Sequence, residues 1–296
     1  MNNLESLETT LTLPSPCVVF KPNWPGSSNV NLWVKRDDAI HDVISGNKWR
    51  KLQNVLNSFS QSRIVSFGGA YSNHLHALGF ACSQLGIPMT ALVRGHQSAT
   101  PSPMLQDLTN WHVDIEFVDR ITYQQRDNKD YLETLRERFV DALIIPEGGS
   151  QLSAIQGIQT MMDEVHDKIH FDTIMAPVAS GATLAGIVSA LKPKQNALGV
   201  GVLKGEGYLE SLVSQFLPSS NEQWNINHNF HFGGYAKVKP ELLQFCETFN
   251  SLAPFKIEPV YSGKLFWALK DLLAQGFFAD NANIVIVHTG GLQGAR

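Results

Sequence analysis

The sequence contains few cysteines, and no motif groups them. Only Cys17, Cys82 and Cys246 occur among 296 residues. They form neither a CxxC pair nor a Cys/His spacing typical of a zinc site. An odd number of isolated cysteines is typical of free thiols in a reducing compartment. We therefore expect a cytoplasmic protein without a metal site.

Excess charge of one sign is also missing. The chain has 23 basic and 27 acidic residues, a net charge of −4, and no basic block. This balance argues against nucleic acid or an anionic membrane as a partner. The first 16 residues have neither the basic segment nor the apolar segment of a secretory signal.

Long apolar runs are scarce as well. Residues 173–191 form a window of 19 residues without charge, which is near the length of a membrane span. Pro177, Ser180 and Gly181 divide this window into a short strand, a turn and the start of a helix. We therefore expect no membrane-spanning segment.

What is present is an alternation of strands and helices in a chain with 43% hydrophobic and 17% charged residues. This composition is that of a globular protein with substantial cores, and the length suggests two domains or one large α/β unit. The alternation predicts βαβ units, parallel sheets and an α/β fold. Strands are expected at 31–35, 63–67, 88–93, 112–118, 142–145, 172–176, 197–203 and 283–287, and helices at 50–58, 73–85, 103–110, 130–139, 151–165, 182–191, 241–249 and 265–275.

The segment around Lys48 organises the chemical interpretation. Ser45, Gly46 and Asn47 are small or turn-forming residues that let backbone approach a ligand closely. We interpret Lys48 as the amine that holds an aldehyde cofactor as a Schiff base. Because most lysines are solvated surface residues, the local pattern alone leaves a surface lysine as the alternative.

Two further segments are expected to connect a strand to a helix and offer backbone N–H groups. In the first, Ser72 and Asn73 follow Gly68-Gly69, and they either cap a helix or, through the Ser72 hydroxyl, bind a substrate carboxylate. The second, Ala179-Ser180-Gly181-Ala182-Thr183, predicts a phosphate-binding loop without a basic residue. It lacks the P-loop pattern, and a plain turn fits the same residues.

Three hydroxyl groups complete the candidates. Tyr235 follows Gly233-Gly234, and Tyr261 lies 26 residues further on. Tyrosine hydroxyls in a cleft donate hydrogen bonds or pass protons, although many such tyrosines simply pack in a core. Thr289 follows the final strand, either as an ordinary strand-end residue or as a hydroxyl that faces a ring nitrogen.

Together these segments resemble the 1-aminocyclopropane-1-carboxylate deaminase/D-cysteine desulfhydrase family of pyridoxal-phosphate enzymes. The matching segments occur in the family's order from about residue 30 onwards: Val34-Lys35-Arg36-Asp37-Asp38, Gly46-Asn47-Lys48, Arg50-Lys51-Leu52, Gly68-Gly69, Ser72-Asn73-His74, Pro146-Glu147-Gly148-Gly149, Ala179–Thr183 with Ala185-Gly186, Pro259-Val260-Tyr261-Ser262-Gly263-Lys264 and His288-Thr289-Gly290-Gly291.

The resemblance implies a two-lobed, three-layer αβα architecture with mostly parallel sheets, the tryptophan-synthase-β-like fold (fold type II of pyridoxal-phosphate enzymes). It implies a large cofactor-binding domain of residues 1–52 and 151–296, a small domain of residues 53–150, and a homodimer. It also implies pyridoxal 5'-phosphate as the cofactor and a small amino acid as the substrate.

The resemblance assigns a role to each candidate side chain. Lys48 would carry the cofactor and later move the substrate proton, and Thr289 would face the ring nitrogen. The remaining implied roles are Asn73 on the phenolic oxygen of the cofactor, Ser180 to Thr183 around its phosphate, Ser72 on the substrate carboxylate, and Tyr235 and Tyr261 on the substrate side.

Two positions distinguish the branches of the family. Cyclopropane deaminases are similar to one another in having Glu at the position of Ser262 and Leu at that of Thr289, whereas this chain has the desulfhydrase-like pair. A neutral hydroxyl beside the ring nitrogen suits expulsion of a good leaving group such as a thiolate. We therefore expect α,β-elimination of a D-cysteine-like amino acid to a 2-oxo acid, ammonia and a thiol or sulfide. The alternatives are 1-aminocyclopropane-1-carboxylate deamination and a non-catalytic binding protein with the same fold.

The chain also departs from the family pattern. Tyr71 stands where Gln is usual, and Trp49 follows the lysine in place of a smaller or polar residue. We expect these bulky side chains to narrow the pocket or alter its polarity. The segment after the final Gly-Gly turn is also short.

Overall fold

The computed structural model of the chain describes residues 3–218 and 222–295. Its strands are β1 Cys17–Val19, β2 Asn31–Lys35, β3 Arg63–Gly68, β4 Met89–Arg94, β5 Asp114–Val118, β6 Ala142–Ile145, β7 Thr173–Val178, β8 Asn196–Gly201, β9 Trp224–Asn227 and β10 Asn283–Val287. Its α-helices are α1 Asn3–Glu8, α2 Asn47–Asn57, α3 Asn73–Leu85, α4 Pro103–Asn110, α5 Arg120–Tyr123, α6 Lys129–Arg138, α7 Leu152–His166, α8 Ala182–Ser189, α9 Tyr208–Ser214, α10 Pro240–Leu252 and α11 Ser262–Ala274.

The strands form two sheets. The larger has the order β1-β2-β10-β7-β8-β9, and the smaller has the order β5-β4-β3-β6. Every pairing is parallel except that of β1 with β2. The carboxyl ends of the parallel strands therefore share one edge of each sheet, and the loops at such edges are where α/β folds bind ligands.

Both faces of the larger sheet are covered by helices. Along β10, Ile284 and Ile286 pack into the core beside α10 and α11, whereas Val285 and Val287 pack into the core beside α7 and α8. This alternation follows from the period of two in a strand. The sheet is therefore the middle layer of an αβα sandwich.

The smaller sheet has the same arrangement. Ile64 of β3 packs with α3 and α4 on one face, and Val65 packs with Leu135 of α6 on the other. The two-lobed, three-layer α/β architecture with mostly parallel sheets, expected from the sequence, is thereby confirmed.

Helix α2 joins the two sheets. Its residue Trp49 is fully buried in the core that contains Leu75 and Ile64 of the smaller sheet. The indole therefore fills that core, and the expectation that it narrows a ligand pocket is wrong. The other bulky departure, Tyr71, is 65% exposed at the start of α3.

Each predicted element forms, with ends shifted by one to three residues at most of them. The uncharged window at 173–191 folds as β7 followed by α8. Among the described residues, no helix is long and apolar enough to cross a membrane. Five short elements were not predicted: α1, β1, α5, α9 and β9.

Candidate functional site

Lys48 lies in the first turn of α2, and its amine faces a polar neighbour. Nζ donates to Oδ1 of Asn47 over 2.7 Å. Burial of the amine lowers the pKa of Lys48 from 10.5 to about 8, because a desolvated site disfavours the charged form. A lysine with a lowered pKa is a nucleophile near neutral pH.

The start of α2 is held tightly against the end of β10. Gly46 has φ +67°, and a Cβ at this position would lie 1.8 Å from the carbonyl oxygen of Thr289. The Asn47 N–H donates to that same oxygen over 3.3 Å. Only glycine permits this close approach. Gly46 therefore allows the start of α2, which carries Lys48, to lie against Thr289.

The loop between β7 and α8 lies on the other side of Asn47. The Asn47 side-chain N–H donates to the Thr183 hydroxyl over 2.8 Å. Within the loop, Gly181 has φ +79°, and a Cβ there would collide with the backbone of Leu212. The first N–H groups of α8 lack helical acceptors, and the loop is therefore suited to an anion.

Lys51 brings a second amine to this loop, which the sequence interpretation missed. Its Nζ donates to the Ser180 hydroxyl over 3.2 Å and to the Gly148 carbonyl over 3.1 Å. The side chain is 1% exposed. Lys48 and Lys51 are three residues apart on one helix, and that spacing places them on the same face. This is the signal by which the sequence could have revealed Lys51.

The two lysines set the electrostatics of the surroundings. Burial, followed by the neighbouring Lys48, lowers the pKa of Lys51 well below its ordinary value. Burial and both lysines lower the pKa of His74 to about 3, so this imidazole is neutral and its Nε2 lies 2.8 Å from the Ser66 hydroxyl. These shifts show that positive charge is disfavoured in the site without a ligand, and an anionic ligand would favour the protonated lysines.

Ser72 and Asn73 begin helix α3. The Ser72 hydroxyl accepts from the N–H of Leu75 over 3.2 Å, so it caps the helix. Asn73 lies in the first turn, and its amide nitrogen would be 2.9 Å from a Cβ at Gly291. Gly291 therefore places Asn73 beside the turn that follows Thr289.

Tyr235 and Tyr261 form a pair. Their hydroxyl oxygens are 3.0 Å apart. Burial raises the pKa of both phenols, and the Tyr235 hydroxyl raises that of Tyr261 further. Both therefore remain protonated at neutral pH, and because one hydroxyl donates to the other, the pair keeps one hydrogen to donate.

A buried carboxylate, Glu258, organises the loop that carries Tyr261. It accepts from the N–H groups of Val260, Tyr261 and Ser262 over 2.7–2.8 Å, at the start of α11. The Ser262 hydroxyl donates to the same carboxylate over 3.1 Å and accepts from the N–H of Glu258. Ser262 is fully buried, so its hydroxyl is occupied within its own loop.

Thr289 differs from Ser262 in this respect. Its side chain is 7% exposed, and its hydroxyl has no hydrogen-bond partner among residues 3–218 and 222–295. The Glu258 carboxyl carbon lies 3.8 Å from the position of a Cβ on Gly291. The structure therefore brings Lys48, Thr183, Ser180 and Thr289 together through Asn47 and Lys51, and links them to Asn73 and the tyrosine pair through Gly291 and Glu258.

Comparisons with known proteins agree on one family. The model of the family described as "Pyridoxal-phosphate dependent enzyme" matches residues 11–290. A protein of Arabidopsis thaliana named bifunctional D-cysteine desulfhydrase/1-aminocyclopropane-1-carboxylate deaminase, mitochondrial, is 28% identical and aligns with 95% of this chain and 77% of its own length. A Pyrococcus abyssi protein provisionally named 1-aminocyclopropane-1-carboxylate deaminase is 25% identical, over 94% of this chain and 89% of its own.

Solved structures show the same fold. A structure described as an ACC deaminase homologue superposes with a TM-score of 0.81 at 23% identity and covers 100% of this chain and 96% of its own. A hydrogen sulfide-producing enzyme from Fusobacterium nucleatum superposes with a TM-score of 0.67 at 12% identity, over 95% of this chain and 96% of its own.

Proposed function

The chain belongs to the pyridoxal-phosphate-dependent enzymes, within the 1-aminocyclopropane-1-carboxylate deaminase/D-cysteine desulfhydrase family, and from this premise we propose α,β-elimination on a small amino acid. The substrate is D-cysteine or a near relative. The products are a 2-oxo acid, ammonia and a thiol or sulfide. The observation that carries the proposal is the half-buried Lys48, whose amine has a pKa lowered to about 8 and contacts Asn47 beside the Ser180–Thr183 loop and Thr289.

The residues present fit the cofactor. A phosphate would be held by the N–H groups and hydroxyls of Ser180 to Thr183 and by the Lys51 ammonium. The aldehyde would meet Lys48. The Thr289 hydroxyl, which has no partner in the described part of the chain, is free to meet the ring nitrogen.

The catalytic steps follow from what these side chains can do. When bound, the cofactor supplies an aldehyde for amines and a conjugated ring that delocalises negative charge. As a free amine, Lys48 would remove the substrate's α-proton, a role for which its lowered pKa is suited. Tyr235 and Tyr261 hold protons that can be donated to the leaving group.

The start of α3 would position the substrate. The backbone N–H groups near Ser72 would bind the substrate carboxylate together with its hydroxyl. Because that hydroxyl already accepts from Leu75, it retains its hydrogen to donate to the carboxylate. Capping and substrate binding are therefore compatible in the same side chain.

Support for a thiolate leaving group comes from the environment expected for the ring nitrogen. The buried carboxylate of this loop, Glu258, is engaged by three N–H groups and by Ser262. Thr289 offers a neutral hydroxyl. A neutral partner leaves the ring a weaker electron sink than a carboxylate would, which is adequate for expelling a thiolate.

The test is to follow pyruvate and sulfide from D-cysteine and from L-cysteine. We expect stoichiometric pyruvate and sulfide from D-cysteine, and a loss of at least about 10³-fold in Lys48→Ala. A matched control is Lys168→Ala, at an exposed lysine of the same lobe. If neither enantiomer is turned over by protein that binds the cofactor, the substrate assignment is wrong and the cofactor assignment stands.

A second candidate is deamination of 1-aminocyclopropane-1-carboxylate, because the names of the Pyrococcus and Arabidopsis relatives include this activity. It yields 2-oxobutanoate and ammonia. If 2-oxobutanoate forms from this amino acid at rates comparable with those for D-cysteine, the second candidate is correct.

The proposal extends to the domain division, the assembly and the compartment of the protein. We propose that the large domain comprises residues 1–52 and 151–296 and the small domain residues 53–150, which is the division that the two sheets support. We also propose a cytoplasmic homodimer. Three free thiols, of which Cys82 and Cys246 are buried, support the reducing compartment.

A further inference from the structure

The turn after Gly290-Gly291 reaches back to helix α3. It is a short 3-10 turn, Leu292–Ala295, and its Gln293 side chain contacts Asn73. Gln293 Nε2 donates a hydrogen bond to Asn73 Oδ1. The same nitrogen lies 3.5 Å from the backbone carbonyl oxygen of Tyr71.

These two contacts favour one orientation of both side-chain amides. The Tyr71 carbonyl can only accept, so the Gln293 group beside it must be the amino group. That amino group in turn requires an acceptor, and the neighbouring end of Asn73 must therefore be its oxygen. The Tyr71 carbonyl thus sets the orientation of the Gln293 amide, and the Gln293 amide sets that of the Asn73 amide.

Asn73 is left with its amino group on the opposite side. The position of a Cβ on Gly291 is 2.9 Å from this nitrogen, so glycine at 291 leaves room for it. No acceptor for the amino group is found within residues 3–218 and 222–295. A fixed donor without an acceptor is what an anionic oxygen of a ligand would use.

We propose that Gln293 is a positioning residue for the cofactor: it fixes the Asn73 amide so that the N–H, and not the oxygen, faces the phenolic oxygen of pyridoxal phosphate. The inference rests on the proposed function, in which Asn73 lies beside the cofactor. Gln293 itself acts only through Asn73.

The decisive substitution is Gln293→Glu, which keeps the shape and replaces the donor with an acceptor. The introduced carboxylate would attract the Asn73 amino group and turn the Asn73 oxygen towards the phenolic oxygen, where two acceptors oppose each other. A cavity of about 90 Å³ borders Gln293, Asn73 and Gly291, and Asp38 and Asp42 also line it. Glutamate has the shape of glutamine and therefore fits the same space, and the Asn73→Ala background controls for repulsion between the introduced carboxylate and these two acids.

The experiment measures the dissociation constant of pyridoxal phosphate and its visible spectrum for four proteins: wild type, Gln293→Glu, Asn73→Ala and the double variant. We expect Gln293→Glu to weaken cofactor binding about 10- to 100-fold, the effect of one hydrogen bond to a charged oxygen. The visible band of the variant should also move. In the Asn73→Ala background the same substitution should change binding by less than about twofold.

The Asn73→Ala background distinguishes an effect through Asn73 from direct repulsion between the introduced carboxylate and the cofactor. Such repulsion would persist in protein that lacks the Asn73 side chain. An equal loss in both backgrounds, or a change of less than about twofold in the single variant, would overturn the proposal. The thermal unfolding midpoint of the apoprotein, expected to be the same in wild type and Gln293→Glu, excludes a purely structural effect. Wild-type protein that forms no lysine-linked band would instead contradict the proposed function.

Discussion

The Lys51 amine donates to the Ser180 hydroxyl over 3.2 Å. This contact joins helix α2, which carries Lys48, to the loop proposed for phosphate. Lys51 also supplies a basic group. Many loops of this kind have none, because the N–H groups at the start of a helix can bind an anion by themselves. Burial lowers the pKa of Lys51 well below its ordinary value, and a bound phosphate, which brings negative charge, would favour the protonated amine.

Lys51→Met should therefore weaken binding of pyridoxal phosphate about 10- to 100-fold. Pyridoxal, which has no phosphate, should bind within about twofold of its wild-type affinity. Fluorescence titration of both ligands against apoprotein measures the two constants, and Lys168→Met, at an exposed position, is the control. Equal losses for the two ligands would show that Lys51 acts on the fold and not on phosphate.

The lowered pKa of Lys48 predicts how attachment of the cofactor depends on pH. Only the neutral amine reacts, and with a pKa of about 8 roughly a quarter of it is neutral at pH 7.5, against about 0.1% for an ordinary lysine. The rate of cofactor attachment to apoprotein should rise about tenfold per pH unit up to about pH 8 and then level off. Stopped-flow absorbance measures this rate; a rise that continues towards pH 10 would mean that the amine is unperturbed.

A buried ion cluster holds helix α2 in place. Arg50 binds Glu164 through two bonds of 2.7 Å and Asp37 over 3.0 Å, and Lys35 also binds Glu164. Arg50 and Lys35 are each 1% exposed. Because Glu164→Gln leaves buried positive charge unmatched, it should lower the free energy of unfolding by about 3–5 kcal/mol.

The same cluster predicts a response to acid. Burial would raise the pKa of Glu164, but hydrogen bonds from Arg50 and Lys35 lower it below its ordinary value. A carboxylate whose pKa is lower in the folded state contributes stability above its unfolded pKa of about 4.3, and that contribution is lost as the pH falls through the folded pKa. Urea unfolding from pH 7 to pH 3 should show a steeper loss for wild type than for Glu164→Gln. Glu133→Gln, in an exposed pair with Arg136, should behave as wild type.

Residues 262 and 289 predict a change of substrate. Ser262→Glu with Thr289→Leu should shift the product ratio from pyruvate towards 2-oxobutanoate, because a carboxylate beside the ring nitrogen keeps it protonated and deepens the electron sink. Since Ser262 contacts the buried Glu258, the new carboxylate would be adjacent to another acid. We therefore expect the shift to be larger when Glu258→Gln is added. An unchanged ratio in both variants would remove residues 262 and 289 from the determinants of specificity.

The sequence predicted those parts of the fold that depend on local pattern. The apolar period and the Ser72 cap gave α3 with both ends correct, and the run of β-branched residues gave β10. Short or weakly periodic elements such as α9 and β9 were missed, because a few residues give little periodic signal. The position of Trp49 was misjudged because adjacency to Lys48 in sequence does not place two side chains on the same face of a helix.

In the candidate site, too, features that depend on local sequence were predictable, and contacts between distant segments were not. The turns at Gly46 and Gly181 were predictable because small residues stand directly before a helix at both places; the chemical roles of Lys48 and of the Gly181 loop stay predictions. The Lys51–Ser180 contact, which spans 129 positions, and the Gln293–Asn73 contact depend on how the chain folds back on itself. No local sequence pattern predicts which polar side chains come into contact when they are so far apart in the sequence.

The measurement that tests the account most directly is reduction of the purified protein with borohydride, followed by peptide mapping. We expect a visible absorption band that disappears on reduction and a pyridoxyl-phosphate group on the peptide that contains Lys48, with neither in Lys48→Ala. Protein that shows no such band in the presence of cofactor, or that carries the group on another lysine, would contradict the central claim.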